Sequence, residues 1–108
     1  MATPKEIFEV KIAENLKTEP EKVAGINAVY QFNVTGDDGG SWYVDVTGDP
    51  TVSEGTKEGA NCTITVASSD FVDIVEGRLN GQMAFMTGKL KITGDMGLAM
   101  KLQKILGG

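Results

Sequence analysis

Apolar residues along this chain recur first at helical spacing, then at every second position, then at helical spacing again. Thr3-Pro4-Lys5-Glu6 opens a helix: Thr3 serves as a cap, Pro4 suits the first helical position and Glu6 completes a capping box. The helix is expected to run to about Lys17, with Ile7 or Phe8, Ile12 and Leu16 facing inward. Thr18-Glu19-Pro20-Glu21 repeats the start signal and predicts a short helical turn over 19–24, ended by Gly25. The period then changes to two. Tyr30, Phe32 and Val34 alternate with Gln31 and Asn33, and Trp42, Val44 and Val46 alternate with Tyr43 and Asp45. Gly36-Asp37-Asp38-Gly39-Gly40 lies between them and tolerates positive φ, so the pair reads as a hairpin.

Gly48-Asp49-Pro50 breaks the second strand, Thr51 to Glu54 reads as a short edge strand, and Gly55 to Gly59 as a loop. Cys62, Ile64 and Val66 alternate with Thr63 and Thr65, which marks a further strand with one apolar face. Ser68 or Ser69 is expected to cap a helix whose inner side is Phe71, Ile74 and Val75, with Gly77 near its end. Asn80-Gly81 reads as a turn, and residues 82–87 as a short helical segment carrying Met83, Phe85 and Met86, stopped by Gly88. Leu90 and Ile92 form the inner face of a last strand, with Lys89 and Lys91 outward.

A C-terminal helix follows, with Leu98, Leu102, Ile105 and Leu106 on one side and Met96, Ala99, Met100 and Gln103 as a second stripe. Only Lys101 and Lys104 clearly favour water, so this helix must cover something. The layout predicts an α+β two-layer domain over residues 1–108: one sheet with an apolar face, and helices as the second layer.

Charge changes the picture at one end. The net charge is −5, which disfavours nucleic-acid binding, since that needs a basic face to neutralise phosphates. Residues 1–88 hold six basic against fourteen acidic side chains, whereas residues 89–108 hold four lysines against one aspartate. The basic end is also the end of the apolar helix. There is no histidine, which removes imidazole acid–base chemistry, a Ser-His-Asp triad and histidine-ligated metal; no metal site is expected. A single cysteine excludes an internal disulfide, and its place on an apolar strand face reads as a small buried hydrophobe. The N-terminus shows no apolar signal segment and no run reaches the length of a membrane span, so an intracellular soluble protein is expected.

Candidate chemistry is thin. Gly94-Asp95-Met96-Gly97 lacks the spacing of a dinucleotide fingerprint, and Gly88-Lys89 lacks the earlier glycine of a phosphate loop. Asn33-Val34-Thr35 and Asn61-Cys62-Thr63 are formal glycosylation sequons, but both lie in predicted strands. Asp70, Asp73 and Glu76 oppose Phe71, Ile74 and Val75 as a solvated helix face does, not as a catalytic pair. What remains is a surplus of soft apolar residues, Met83, Phe85 and Met86 before the last strand and Met96 and Met100 after it. They are either core filling or a wall adapted to ligands of varied shape. For a wall, burying an acyl chain at about 0.8 kcal/mol per methylene would drive binding.

The segments Ala60-Asn61-Cys62-Thr63-Ile64-Thr65, Ser69-Asp70-Phe71, Phe85 through Gly88-Lys89-Leu90-Lys91-Ile92-Thr93-Gly94, and Met96-Gly97-Leu98-Ala99-Met100-Lys101-Leu102-Gln103 resemble the sterol carrier protein 2 family. The similarity is densest over 60–103 and continues more loosely through Ser41-Trp42-Tyr43-Val44-Asp45 to the N-terminal helix. It implies a single five-stranded, mainly antiparallel sheet covered on one face by about five helices, with an apolar tunnel between the layers and the C-terminal helix as its wall or lid. It also implies a carrier without catalytic residues or cofactor, which binds fatty acids, acyl-coenzyme A esters, sterols or phospholipids and promotes their transfer between membranes or to enzymes.

By this resemblance the ligand-lining residues are Trp42, Phe71, Val75, Phe85, Met86, Met96, Met100, Leu102 and Gln103. Lys89, Lys91, Lys101 and Lys104 are candidates for transient contact with a membrane surface. Asp95 stands where the family pattern has an amide, and Gly81 where it has a proline. The chain ends Leu106-Gly107-Gly108 rather than in a Ser-Lys-Leu-like tripeptide, which favours a cytoplasmic carrier over a peroxisomal one; a monomer is expected. Two other classes stay open at this level. One is an interaction module docking its C-terminal helix on a partner enzyme of lipid metabolism, and the other is an enzyme using the Cys62 thiol.

Overall fold

A computed structural model describes residues 3–101; the sequence expectations for Leu102, Gln103, Lys104, Ile105 and Leu106 lie outside the described residues. Helix α1 covers residues 4–18, α-helical at Pro4–Glu6 and Ala13–Thr18 and π-helical at Ile7–Ile12 between them. The Thr3 hydroxyl accepts from the Glu6 N–H, as its place before Pro4 suggests. The π stretch advances each residue less far around the axis than an α-helix does, so Ile7 and Phe8 both face inward. The sequence had offered them as alternatives; both are buried, together with Ile12 and Leu16. A 3₁₀ turn at Pro20–Lys22 follows, and Gly25 takes the left-handed conformation just beyond it.

Five strands form one sheet: β1 Val29–Thr35, β2 Gly40–Asp45, β3 Thr51–Glu54, β4 Cys62–Ala67 and β5 Leu90–Gly94, in the order β3-β2-β1-β4-β5. Three pairs are antiparallel and one, β1 with β4, is parallel. Phe32 is flanked by Trp42 and Ile64, and Tyr30 by Val44 and Cys62, so the apolar positions of neighbouring strands fall in line. All of these residues are buried.

Because β3 occupies the far edge, residues 55–61 carry the chain back across the sheet to β4, on the other side of the central β1. This crossing is tied to the polar positions of the sheet. Gln31 Nε2 donates to the carbonyls of Trp42 (3.2 Å) and Gly55 (3.1 Å), and Gln31 Oε1 accepts from the Lys57 N–H (2.8 Å). The Lys57 ammonium reaches the Asp45 carboxylate at 2.9 Å and stands 5.7 Å from the centre of the Tyr43 ring. Gln31, which alternation alone assigns to the solvated face, is therefore only 5% exposed.

The other layer is helical. Helix α2, Ser68–Val75, starts directly from β4 with Ala67 as the flanking residue. Neither Ser68 nor Ser69 caps it, contrary to the sequence expectation, because the helix begins one residue earlier than a serine cap requires. Helix α3, Gly81–Met86, begins where a turn was expected. Asn80 Oδ1 accepts from the N–H groups of Gln82 (2.8 Å) and Met83 (3.2 Å), which makes Asn80 a helix cap and Gly81 the first helical residue. Helix α4, Met96–Ala99, is capped by Asp95 through the N–H groups of Gly97 and Leu98.

Candidate functional site

The interior between the layers is built around three rings. Phe8, from the π stretch of α1, lies between Trp42 of β2 and Phe71 of α2, stacked on one at 4.8 Å and 11° and on the other at 4.9 Å and 5°. Phe32 of β1 meets Phe8 at 5.0 Å in a tilted contact and closes the group from the sheet side. The indole is fixed in orientation: Trp42 Nε1 donates to the Glu9 carboxylate at 3.1 Å, which also takes the Lys5 ammonium at 3.2 Å. These two hydrogen bonds, the one from Trp42 foremost, pull the Glu9 carboxyl below its ordinary range.

Tyr30 of β1 projects from the same apolar face and is fully buried. Its hydroxyl donates to the Leu98 carbonyl of α4 at 2.7 Å. Burial pushes the phenol up to about 12, with the nearby Cys62 and Asp95 adding to the shift, so it stays a donor at neutral pH. The start of α4 is held a second time. Gly94 has φ +106°, and the Asp95 N–H that follows donates to the Asn61 carbonyl at 3.0 Å. Asn61 in turn grips the start of β1, its Oδ1 accepting from the Val29 N–H and its N–H donating to the Val29 carbonyl.

The structure divides the predicted ligand-lining residues into two groups. Trp42 and Phe71 are buried and meet through Phe8, and Val75 packs partly buried against the same core. Phe85 (40% exposed) and Met86 (72%) lie on the outer surface of α3, Met96 on that of α4, and Met100 (87%) is exposed just beyond it. Lys89, Lys91 and Lys101 are exposed. Sequence reasoning missed Tyr30, Asn61 and the decisive place of Phe8. A hydroxyl on an otherwise apolar strand face was the available signal for Tyr30. A separate cleft of about 540 Å³ opens between the Pro20–Lys22 turn and residues 46–50, and none of the predicted site residues lines it.

Cys62 is fully buried, and burial raises its pKa, which is the state of an inert thiol. Asp73 and Glu76 are occupied by Arg78 at 2.8 and 2.6 Å. No group of three possible metal ligands occurs, and no helix is long and apolar enough to cross a membrane, among the described residues. Every buried side-chain nitrogen and oxygen there has a hydrogen-bond partner, so no unpaired polar group faces the apolar layer.

Residues 9–107 match the SCP-2 sterol transfer family. The chain belongs to that family. It is 45% identical over 100 residues to human sterol carrier protein 2, a match covering 88% of this chain and 18% of that protein. The chain thus spans about a fifth of the length of this curated relative. Sterol carrier protein 2 from Yarrowia lipolytica, solved in its apo form, superposes with a TM-score of 0.78 at 34% identity, covering 93% of this chain and 86% of the other. The palmitated SCP2L2 from Aedes aegypti gives a TM-score of 0.82 at 26% identity, covering 99% and 96%. The family resemblance and the five-stranded α+β architecture expected from the sequence are therefore correct. The SCP-2 match begins at Glu9, beside the ring stack, and takes in Tyr30, Asn61 and α4.

Proposed function

We propose that the chain is a non-catalytic lipid carrier, which takes a fatty acyl chain or sterol between sheet and helices and passes it between membranes or to enzymes. The observation that carries this reading is a family match spanning nearly the whole chain, on a fold whose two layers meet through aromatic rings and aliphatic side chains. Apolar ligands enter such a layer by exchanging one set of dispersion and hydrophobic contacts for another. Ten buried methylenes contribute roughly 8 kcal/mol gross, before ordering costs. With its buried polar groups already paired, the interior selects on shape and apolar area, which suits loose selectivity among fatty acids, acyl-coenzyme A esters, sterols and phospholipids.

In this reading Trp42, Phe71 and Val75 line the inner part of the site, and Phe8 yields its place between the first two when lipid enters. Phe85, Met86, Met96 and Met100 form its mouth, and their exposure suits a surface that meets cargo and membrane. The exposed Lys89, Lys91 and Lys101 hold that mouth near anionic headgroups, at about 1 kcal/mol per lysine.

Native mass spectrometry of the purified protein, with displacement of a fluorescent fatty acid, tests the carrier reading. Co-purifying lipid and saturable binding are expected. Neither lipid nor binding, with a concentration-dependent protein complex instead, would replace it by the docking-module reading. Changing Lys89, Lys91 and Lys101 to Gln should slow transfer to anionic vesicles and leave equilibrium binding unchanged; equal transfer rates would remove the membrane role of the lysines.

A further inference from the structure

Methionine ranks among the residue types most often buried, yet no methionine enters the core of this protein among the described residues. Met83, Met86, Met96 and Met100 are instead 54%, 72%, 46% and 87% exposed. Among the described residues, the only other large apolar side chains left on the surface are Val10 and Phe85. The four methionines form two pairs. Met83 and Met86 stand about one turn apart on α3, and Met96 and Met100 about one turn apart on and just beyond α4, where the Met100 N–H donates to the Met96 carbonyl at 3.2 Å. The pairs belong to the helices that precede and follow β5, in the stretch that also carries Lys89, Lys91 and Lys101.

Other groups seat these helices. Helix α3 is capped by Asn80 and buries Ala84, whose carbonyl accepts from the Lys89 N–H at 2.8 Å. Helix α4 is capped by Asp95, and Leu98 and Ala99 pack against the core. A change at the thioethers therefore alters the surface and leaves the packing beneath it in place.

We infer that these four thioethers are an oxidation site: peroxide in the surrounding water converts them to methionine sulfoxides, which weakens the protein's hold on a lipid surface while the fold stays intact. In each step a sulfur lone pair attacks one peroxide oxygen, the O–O bond breaks and an S–O bond forms. The second oxygen leaves as hydroxide and takes the proton of the first, giving water; sulfur is oxidised by two electrons and the peroxide reduced by two. A flexible apolar side chain thus becomes a polar one, and sulfoxide reductases of both stereochemical classes restore it. The lysines keep their charge, so attraction to anionic headgroups persists and only the apolar contact of the mouth is lost. The buried Cys62 thiol takes no part. The effect on a lipid surface rests on the carrier reading; the oxidation itself does not.

The test treats the full chain with dilute hydrogen peroxide and follows it by peptide mass spectrometry. Each of the four methionines should gain one oxygen, Met86 and Met100 ahead of Met83 and Met96, while Cys62 stays a thiol that is alkylated only in urea. The urea midpoint and Trp42 emission should not change. Transfer of a fluorescent fatty acid to vesicles of phosphatidylcholine and phosphatidylserine should slow about fivefold and recover after treatment with the two reductases. Met83→Leu, Met86→Leu, Met96→Leu and Met100→Leu combined, compared with itself before and after peroxide, should show no slowing; Met1 remains in that variant, so its oxidation is accounted for. Methionines that resist peroxide as long as Cys62 does overturn the site. A lowered urea midpoint after oxidation overturns its separation from the fold. Equal slowing in the leucine variant, or unchanged transfer by the oxidised native chain, overturns the effect on the lipid surface. Should the untreated protein bind no fatty acid, the carrier reading falls, and peptide mapping with the urea midpoint still decides the oxidation site.

Discussion

Trp42 and Glu9 are joined across the two layers by a 3.1 Å hydrogen bond from the indole to the carboxylate, while Phe8, the neighbour of Glu9, stacks on the same indole. Two consecutive residues of α1 thus fix one tryptophan, one by geometry of charge and the other by contact area. Trp42 is the chain's single tryptophan, so its fluorescence reports on the ring stack.

Replacing Phe8 with Ala hollows the stack between Trp42 and Phe71. The loss should be about 3–5 kcal/mol in urea unfolding, as for other buried phenylalanines, with a red shift of Trp42 emission. A loss under 1 kcal/mol would show that the two layers close over the gap.

Glu9 should couple Trp42 to acid. Its folded pKa lies below the unfolded one, so the stabilisation is present above the ordinary carboxylate range and disappears as pH falls through the lowered value. Trp42 emission should follow that titration, and Glu9→Gln should abolish the acid step in emission. A step that persists in the variant would place its source elsewhere.

Tyr30 should couple α4 to alkali in the opposite direction. The phenol titrates at about 12 in the folded chain against 10.0 as the reference. The folded state holds its proton longer, so the stabilisation is complete below pH 10 and is lost as pH rises towards 12. Absorbance titration near 295 nm and urea unfolding across that window should show the loss in the native sequence and a smaller one in Tyr30→Phe.

Gly94→Ala should destabilise the fold by about 2 kcal/mol or more, because φ +106° is strained for alanine and its Cβ would press on the Asn61 carbonyl. Gly48→Ala, at a position with open space around it, serves as the reference and should change stability little.

Gln31→Leu should cost about 1–3 kcal/mol despite the gain in apolar area. The Lys57 N–H and the Gly55 carbonyl lose their buried partner, and the crossing segment loses its anchor to β1. Limited proteolysis between β3 and β4 should speed up; equal cutting rates would show that the Lys57–Asp45 pair holds the crossing alone.

The sequence by itself determined which strand residues face the apolar layer. Side chains alternate across a strand and recur every three to four residues on a helix, so Tyr30, Phe32, Trp42, Cys62 and Ile64 announce one face without reference to any partner. The family motif from Gly88 to Gln103 then supplied the carrier reading, which periodicity left open between core filling and a ligand wall. Tertiary structure alone decided the rest, because each remaining feature depends on contacts between distant parts of the chain. Parallel pairing of β1 with β4 follows from the crossing segment, which runs from Gly55 beside Ser41 back to Asn61 beside Val29, the start of β1, before β4 begins. Burial of Gln31 follows from the crossing segment, 24 residues further along the chain at Gly55, folding onto it. The Tyr30 hydroxyl finds its acceptor 68 residues away, a partner that local spacing does not indicate.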